Sequence, residues 1–382
     1  MSFRLRVFFM GLMTLALLFG FLHLFVPAGM DLNFDRLHIF LFNLCSGGTI
    51  LIFHTEGRRH LSGQAVGFCA LSLVYAVLAF LKIYLPAIVI SLILAGVVER
   101  VRVRRFSFFP WDFFRSETPV ADKFHQASLL CLSIGLVIST LVILNNEYLK
   151  VLSWSKLQLD TFFLGFSFPL SLITMSVMFS LMKDEFREWL GVLKNIDFWA
   201  VNLGVITFFI FILAELLIPQ LVVTLILFAA VIVMYYLFDR LGLRVQQKNF
   251  LISGMAFLLF TAVSGILYIV LEVFWGYDSD RMNLLMRIHA FASLYGWNLS
   301  GLAVICRQHD FPIQLHSTRI IALHWLTVIL LAPMGIYFRS VALAAVICYF
   351  LMLYFILFSE GVQSASRDTE SSAETVVVYM DD

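Results

Sequence analysis

The chain has 382 residues, of which 61% are hydrophobic and only 13% are charged, and its formal net charge is +1. A soluble domain of this size cannot bury so much apolar surface, so the composition predicts a protein that uses the lipid bilayer as its solvent. The net charge says nothing about nucleic acid, but the chain has no basic domain, so nucleic acid is not expected as a partner. Five cysteines lie in apolar runs without C-x-x-C spacing, which predicts buried free thiols rather than disulfides or a zinc site.

Twelve apolar segments are long enough to cross roughly 30 Å of hydrocarbon as helices. We predict spans at 6–27, 37–54, 64–81, 84–98, 125–145, 158–182, 197–216, 217–238, 249–274, 283–305, 317–337 and 340–358. The third and fourth should form a helical hairpin, because together they are too long for one span. The predicted fold class is therefore all-α, a polytopic membrane helical bundle of about twelve transmembrane helices over residues 1–358.

The distribution of Lys and Arg predicts the orientation of the bundle. An even number of spans places both termini on one side, and most basic residues then fall on the side of the N-terminus. The positive-inside rule therefore predicts both termini inside, in the inner (plasma) membrane of the cell. The basic run from Arg100 to Arg105 is expected in an inner loop, as an anchor next to anionic lipid.

Two segments outside the spans have distinct compositions. Residues 183–194 mix charges with Trp189 and predict a short amphipathic helix in the interface. Residues 359–382 are rich in Ser, Thr and acidic side chains and predict a disordered cytoplasmic tail. The tail is either simply solvated or a segment for partners or phosphorylation.

A weak repeat links three of the predicted spans. Spans 2, 6 and 10 begin with the similar triplets His38-Ile39-Phe40, Asp160-Thr161-Phe162 and His289-Ala290-Phe291. The spacing is about four spans each time. It predicts a pseudo-threefold arrangement of four-helix units.

His38 and His289 are the leading candidates for a functional site, because ionisable side chains inside a membrane are costly and usually paired. Neutral imidazole is a good ligand for Fe, Cu and Zn, and two imidazoles on opposite faces of a macrocycle make a six-coordinate haem. A bare metal ion would need a further ligand, such as Asp160 or His23. The alternatives are a hydrogen bond between helices, or incidental residues at the interface.

Other ionisable side chains are assigned less specific roles. Asp160 and Glu215 are either proton-relay carboxylates or members of structural pairs. His125 is expected at the membrane interface. His324 is expected to be buried, paired with His54 or with a backbone carbonyl, with a second haem as the alternative.

The arrangement resembles the catalytic subunit of haem–copper oxidases and nitric oxide reductases. The motif Arg36-Leu37-His38, followed by Phe42 and Gly47-Gly48, is similar to the helix-2 motif of the reductase-like branch, and His289 falls where helix 10 carries its low-spin haem ligand. The resemblance implies one b-type haem between His38 and His289. It also implies electron transfer or haem-dependent sensing, with a redox partner or other membrane subunits.

The departures from that family limit the implied function. Arg287 stands where the family's other helix-10 histidine would be, and spans 6 and 7 contain no histidine for copper. The resemblance therefore implies a relative without the binuclear centre, as in NnrS-like membrane proteins, and no reduction of oxygen. Arg287 is expected to pair with a haem propionate, Asp160 or Glu272, or to extend toward the membrane surface.

Two other classes of function stay open at the sequence level. A secondary transporter or channel would have a water-filled cavity that reaches Asp160 and Glu272 from one side. A structural membrane protein would use its tail to recruit cytoplasmic partners. In every case the lipid bilayer is the expected surrounding.

Overall fold

The computed structural model describes residues 1–26, 32–58, 60–152, 156–157, 163–183, 188–243, 245, 247–276, 279–307 and 318–359. The helices of this part of the chain are α1 Phe3–Leu24, α2 Phe34–Glu56, α3 Gly63–Phe80, α4 Tyr84–Arg105, α5 Val120–Leu149, α6 Phe163–Ser167 continued by Phe168–Ser180, α7 Glu188–Leu213, α8 Leu217–Leu241, α9 Gln247–Trp275, α10 Ser279–Phe291 continued by Ala292–Asn298 and Leu299–Cys306, α11 Thr318–Gly335 and α12 Arg339–Phe358. Ten of them are long and apolar enough to cross a membrane, and the two exceptions are α6, which is shorter, and α10. The chain is thus an all-helical, multi-pass membrane protein. The predicted tail, apart from Ser359, lies outside the described residues.

The helix ends follow local sequence signals. The side chain of Asn33 accepts a hydrogen bond from the backbone N–H of Arg36 at 2.8 Å and begins α2, and Ser62 begins α3 in the same way with Ala65 at 3.0 Å. Lys82 adopts a left-handed conformation with φ 60° between α3 and α4. The tight turn confirms the predicted hairpin of the third and fourth helices.

Contacts between helix ends show which ends share a side of the bundle. Arg6, near the start of α1, donates to the carbonyl of Leu357 at the end of α12, at 3.0 Å. Lys123, near the start of α5, donates to Asn195, near the start of α7, at 2.6 Å. These ends lie on what we call the N-terminal side. Which membrane face this side occupies stays a prediction.

Helices α2, α6 and α10 form the centre of the bundle. Of the most apolar stretch of α2, 83% lies inside the protein, against 17% for α7. A Cβ added to Gly47 of α2 would collide with the side chain of Leu170 of α6. Ser167 of α6 accepts a hydrogen bond from Asn298 of α10 at 3.0 Å. The three helices that carry the repeated triplets are therefore the inner ones.

Each of these inner helices contains a π-helical segment. The segments are Phe40–Gly48 in α2, Phe163–Ser167 in α6 and Ala292–Asn298 in α10. Each begins two or three residues after the first residue of its triplet, although Asp160 itself lies outside the described residues. Helices α5 and α11 also contain π-helical segments, Leu144–Leu149 and Leu326–Leu331, so the repeat of four-helix units stays a prediction. Short π-helical segments are frequent at functional sites.

The basic run at the end of α4 was predicted to lie in a loop, but it is helical. Helix α4 continues to Arg105, and Arg102 is only 2% exposed. Its guanidinium bonds Glu99 at 2.7 Å and the carbonyls of Ser107 and Phe108 at 3.0 and 2.8 Å. The prediction failed because these partners replace water, so the helix can bury a charge that hydropathy assigns to a loop.

The predicted interfacial helix at 183–194 is also wrong in the part that the structure describes. Residues from Glu188 onward belong to α7, which continues without interruption to Leu213. The apolar residues that follow 194 extend the same helix, so its polar first turns do not form a separate element. All five cysteines are free thiols, as predicted.

Candidate functional site

His289 is held against helix α9 by its Nδ1 atom. This nitrogen lies 3.0 Å from the carbonyl oxygen of Thr261 and 3.3 Å from the hydroxyl of Ser264. The Ser264 hydroxyl also donates to this carbonyl, at 2.9 Å. Because a carbonyl oxygen only accepts hydrogen bonds, Nδ1 is the nitrogen that carries the hydrogen toward Thr261. Gly265 allows the close approach, since a Cβ there would lie 3.2 Å from Cε1 of the ring.

This arrangement leaves the second nitrogen of His289 available. With Nδ1 as the donor, the neutral ring carries its lone pair on Nε2. Within the described part of the chain, Nε2 forms no hydrogen bond. An imidazole whose Nδ1–H is fixed by a backbone carbonyl is the arrangement that metal-ligating histidines use.

His289 lines a cavity of ≈ 230 Å³ to which each of the helices from α6 to α10 contributes lining residues. Most of its lining is apolar, and two of its hydroxyls, on Thr224 and Thr261, donate to carbonyls one turn earlier at 2.7 and 2.8 Å. The other lining residues with polar side chains are Ser167, Ser171 and Ser293. The cavity is smaller than the roughly 300–1,000 Å³ of pockets that enclose whole drug-sized ligands. It can hold a small ligand, or one edge of a larger planar group.

His38 lies in a different environment. A Cβ added to Gly20 of α1 would come within 3.5 Å of its ring, and the ring of Tyr295 stacks at a centroid distance of 6.4 Å. Its Nδ1 is buried and makes no hydrogen bond to a described residue. The phenol groups of Tyr295 and of its neighbour Tyr349, 5.3 Å away between ring centroids, also lack hydrogen-bond partners in this part of the chain. Among the residues that the structure describes, the His38 side of α10 therefore contains several polar atoms without partners.

The two predicted ligands have different neighbours. Residues 289 and 291 point about 200° apart on an α-helix, and it is Phe291 that contacts Phe21 of α1 and Tyr295, at centroid distances of 6.1 and 5.8 Å. His38 is not among the described residues that line the cavity at His289. Ligation of one haem by both imidazoles stays a prediction, and His289 is the candidate ligand that lies beside the cavity.

Arg287 joins helices α10 and α2. Its guanidinium lies 3.7 Å from the carboxylate of Asp35, in the first turn of α2. Of its predicted partners, Asp160 lies outside the described residues. The ion pair holds the starts of α2 and α10 together on the side opposite the N-terminal side.

The remaining histidines are placed as follows. His324 donates through Nε2 to the carbonyl of Tyr295 at 2.7 Å, which confirms the backbone carbonyl as its partner. His125 is 2% exposed and stacks on His54 at 5.2 Å, so it is buried in the bundle, while its place at the membrane interface stays a prediction. The hydroxyl of Thr55, at 2.8 Å from Nε2 of His125, makes this burial possible. His23 is exposed at the end of α1.

Of the carboxylates predicted as relay groups, Asp160 lies outside the described residues and Glu215 is exposed in the turn between α7 and α8. Glu272, which a transporter cavity was expected to reach, is not among the described lining residues. No observation therefore favours the transporter alternative. Asp197 was not among the predicted site residues; it is 2% exposed, and within the described part of the chain neither of its carboxylate oxygens has a hydrogen-bond partner. An acidic residue at the start of an apolar run was the available signal, but that position suggested the end of a loop.

A bare metal ion finds no complete ligand set among the residues described. These contain no group of three or more His, Cys, Asp and Glu side chains that could bind one. Comparison of the chain with protein-family models, with curated proteins and with solved structures gave no match.

Proposed function

We propose that this multi-pass membrane protein binds a b-type haem through His289 and serves electron transfer or haem-dependent sensing. The observation that carries the proposal is the fixed ring of His289, whose Nδ1 donates to Thr261 at 3.0 Å beside the cavity. A bound haem would supply one-electron redox chemistry at its iron. His289 would hold the iron through Nε2, and Thr261 would fix the tautomer and orientation of the ring.

The protein environment suits a redox group better than catalysis on a substrate. The cavity lining is mostly apolar, and its hydroxyls on Thr224 and Thr261 are already bonded to backbone carbonyls. Such a lining excludes water and offers few groups for acid–base chemistry. Electron transfer needs neither, because it moves no heavy atoms at the site.

A second candidate follows from the size of the cavity. Its ≈ 230 Å³ fits a small, mostly apolar molecule with one hydroxyl, which would donate to Nε2 of His289. Both candidates use the same lone pair, and they differ in whether iron or a hydrogen-bond donor occupies it.

An absorption spectrum of the purified protein, oxidised and then reduced, separates the two. For the haem proposal we expect Soret and α bands that His289→Ala abolishes, because His289 supplies the imidazole among the described lining residues. His23→Ala is the matched control, since this exposed histidine should leave the bands unchanged. His38→Ala tests the sequence prediction of shared ligation, which requires loss of the bands in that variant as well.

The outcome without bands is equally informative. If the protein shows no haem bands after expression with added haem precursor, the haem proposal is wrong. The second candidate then predicts that small phenols raise the midpoint temperature of unfolding of the wild type but not of His289→Ala.

A further inference from the structure

Asp197 is a buried acid in the first half of α7. It is 2% exposed, and neither carboxylate oxygen has a hydrogen-bond partner within the part of the chain that the structure describes. An ionised carboxylate without a partner in an apolar interior carries a large free-energy penalty. The neutral acid, with its proton, is the form that this site tolerates. Ionisable residues of this kind inside a membrane are commonly functional.

Asp197 lies on α7 next to one end of the His289 cavity. Residues 197, 201, 205 and 208 fall on one face of an α-helix, and Val201, Val205 and Phe208 line the cavity. One helical turn, about 6 Å along the axis, separates Asp197 from Val201. The acid therefore sits at the end of the cavity that is nearer the N-terminal side.

The polar groups at this end of α7 lie on another face of the helix. Asn195, two residues before Asp197 and about 200° away around the helix, accepts a hydrogen bond from Lys123 at 2.6 Å. The amide of Asn195 also donates to the carbonyl of Gly191 at 2.8 Å, in an exposed part of the helix. Asp197 therefore shares its face of α7 with the apolar residues of the cavity and not with this polar pair.

From its burial without a partner and its place on the cavity face of α7 we propose that Asp197 is a proton-carrying carboxyl that serves the His289 cavity. It holds one proton at the end of the cavity that is nearer the N-terminal side. The charge change at His289 is then balanced by proton movement within the same part of the bundle. The link to His289 rests on the proposed function of the cavity, whereas the protonated state of Asp197 does not.

Reaction with dicyclohexylcarbodiimide, an apolar reagent, tests the protonated state. The O–H of a carboxylic acid adds across one C=N bond to give an O-acylisourea, which rearranges to a stable N-acylurea, so that the product gains one whole reagent. We expect mass spectrometry of the membrane-embedded full-length protein to find this adduct at Asp197. Asp197→Asn should remove it, and Glu215→Gln, at an exposed acid, should leave it unchanged. An unlabelled Asp197 in the folded wild type overturns the proposal.

The connection with the cavity needs a separate variant. Val201→Trp fills the cavity end next to Asp197 and should slow labelling several-fold, because the reagent and the proton share the apolar approach. Val192→Trp, on the same helix at a side chain 58% exposed, is the matched control and should label at the wild-type rate. Val205→Trp is the second plug if Val201→Trp does not give a monodisperse helical protein.

These outcomes are independent of haem. Wild-type labelling rates in both plugged variants would separate Asp197 from the cavity and overturn its proposed role there. If the plugged variants label more slowly but the protein shows no haem bands, the proton-carrying role of Asp197 stands. Only haem as the ligand of the cavity would then be wrong.

Discussion

Gly135→Ala should lower the midpoint temperature of unfolding by several degrees. A Cβ at this position of α5 would lie 2.8 Å from the carbonyl oxygen and 2.9 Å from the carbonyl carbon of Gly165 in α6. Backbone atoms cannot rotate away as a side chain can, so the two helices would have to separate. Overpacking typically costs about 1–3 kcal/mol, and we expect the upper part of that range here.

Gly96→Ala is the matched control for this measurement. Gly96 lies in α4, and nothing lies within 4 Å of an added Cβ. Alanine should therefore stabilise the helix by about 0.5–1 kcal/mol relative to glycine. Thermal unfolding in detergent, followed by circular dichroism, compares the variants. Equal midpoints for the two would show that α5 and α6 do not meet at Gly135.

Arg102→Ala should produce the other large effect, of about 3 kcal/mol in the free energy of unfolding. The change removes both ends of a small network: the bond to Glu99 at 2.7 Å and the bond to the carbonyl of Phe108 at 2.8 Å. Glu99 would keep only its bond from Ser133, at 2.5 Å. We expect a lower unfolding midpoint and faster proteolysis between α4 and α5, because Arg102 fixes the chain that leaves α4.

Two further variants identify the cause. Arg104→Ala removes an exposed arginine that makes a single bond to Gln64 at 2.7 Å, and exposed pairs contribute about 1 kcal/mol or less. Glu99→Ala combined with Arg102→Ala should recover part of the lost stability, since no unpaired carboxylate is left behind. A loss as large in Arg104→Ala as in Arg102→Ala would contradict the role of the buried network.

The sequence predicted the parts of this fold that depend on hydropathy and length. Apolar runs of sufficient length gave an all-helical membrane protein, and the break at Lys82 gave the hairpin of α3 and α4. These properties are local, because a helix in lipid satisfies its own backbone hydrogen bonds. A short window of sequence is enough to recognise them.

Properties that depend on partners far apart in the chain were not predictable in the same way. Arg102 is buried because two carbonyls beyond the end of α4 accept its hydrogen bonds. His125 is buried because His54 and Thr55, from another helix, cover it. Hydropathy treats each of these side chains alone and therefore places it at the surface.

The candidate site shows a related limit. The sequence identified His289 correctly as a residue inside the bundle, but not that its ring lies against Thr261 of α9, beside a cavity whose described lining does not include His38. Both residues precede a π-helical segment, and the direction of a side chain depends on the helical phase, which such segments change. Contacts of Phe291 with Phe21 show which face of α10 is turned toward α1. No count of residues along a regular helix provides that information.

The π-helical segments have a consequence for how this chain can change during evolution. A π turn accommodates one residue more than the α turn that it replaces. Deletion of one residue from Ala292–Asn298 would rotate everything before it, including His289, by about 100° relative to Leu299–Cys306. The well-packed segment Leu299–Cys306 would keep its neighbours, whereas the imidazole of His289 would face a different neighbour. Insertions and deletions of single residues in α2, α6 and α10 can thus redirect a ligand without rebuilding the core of the bundle.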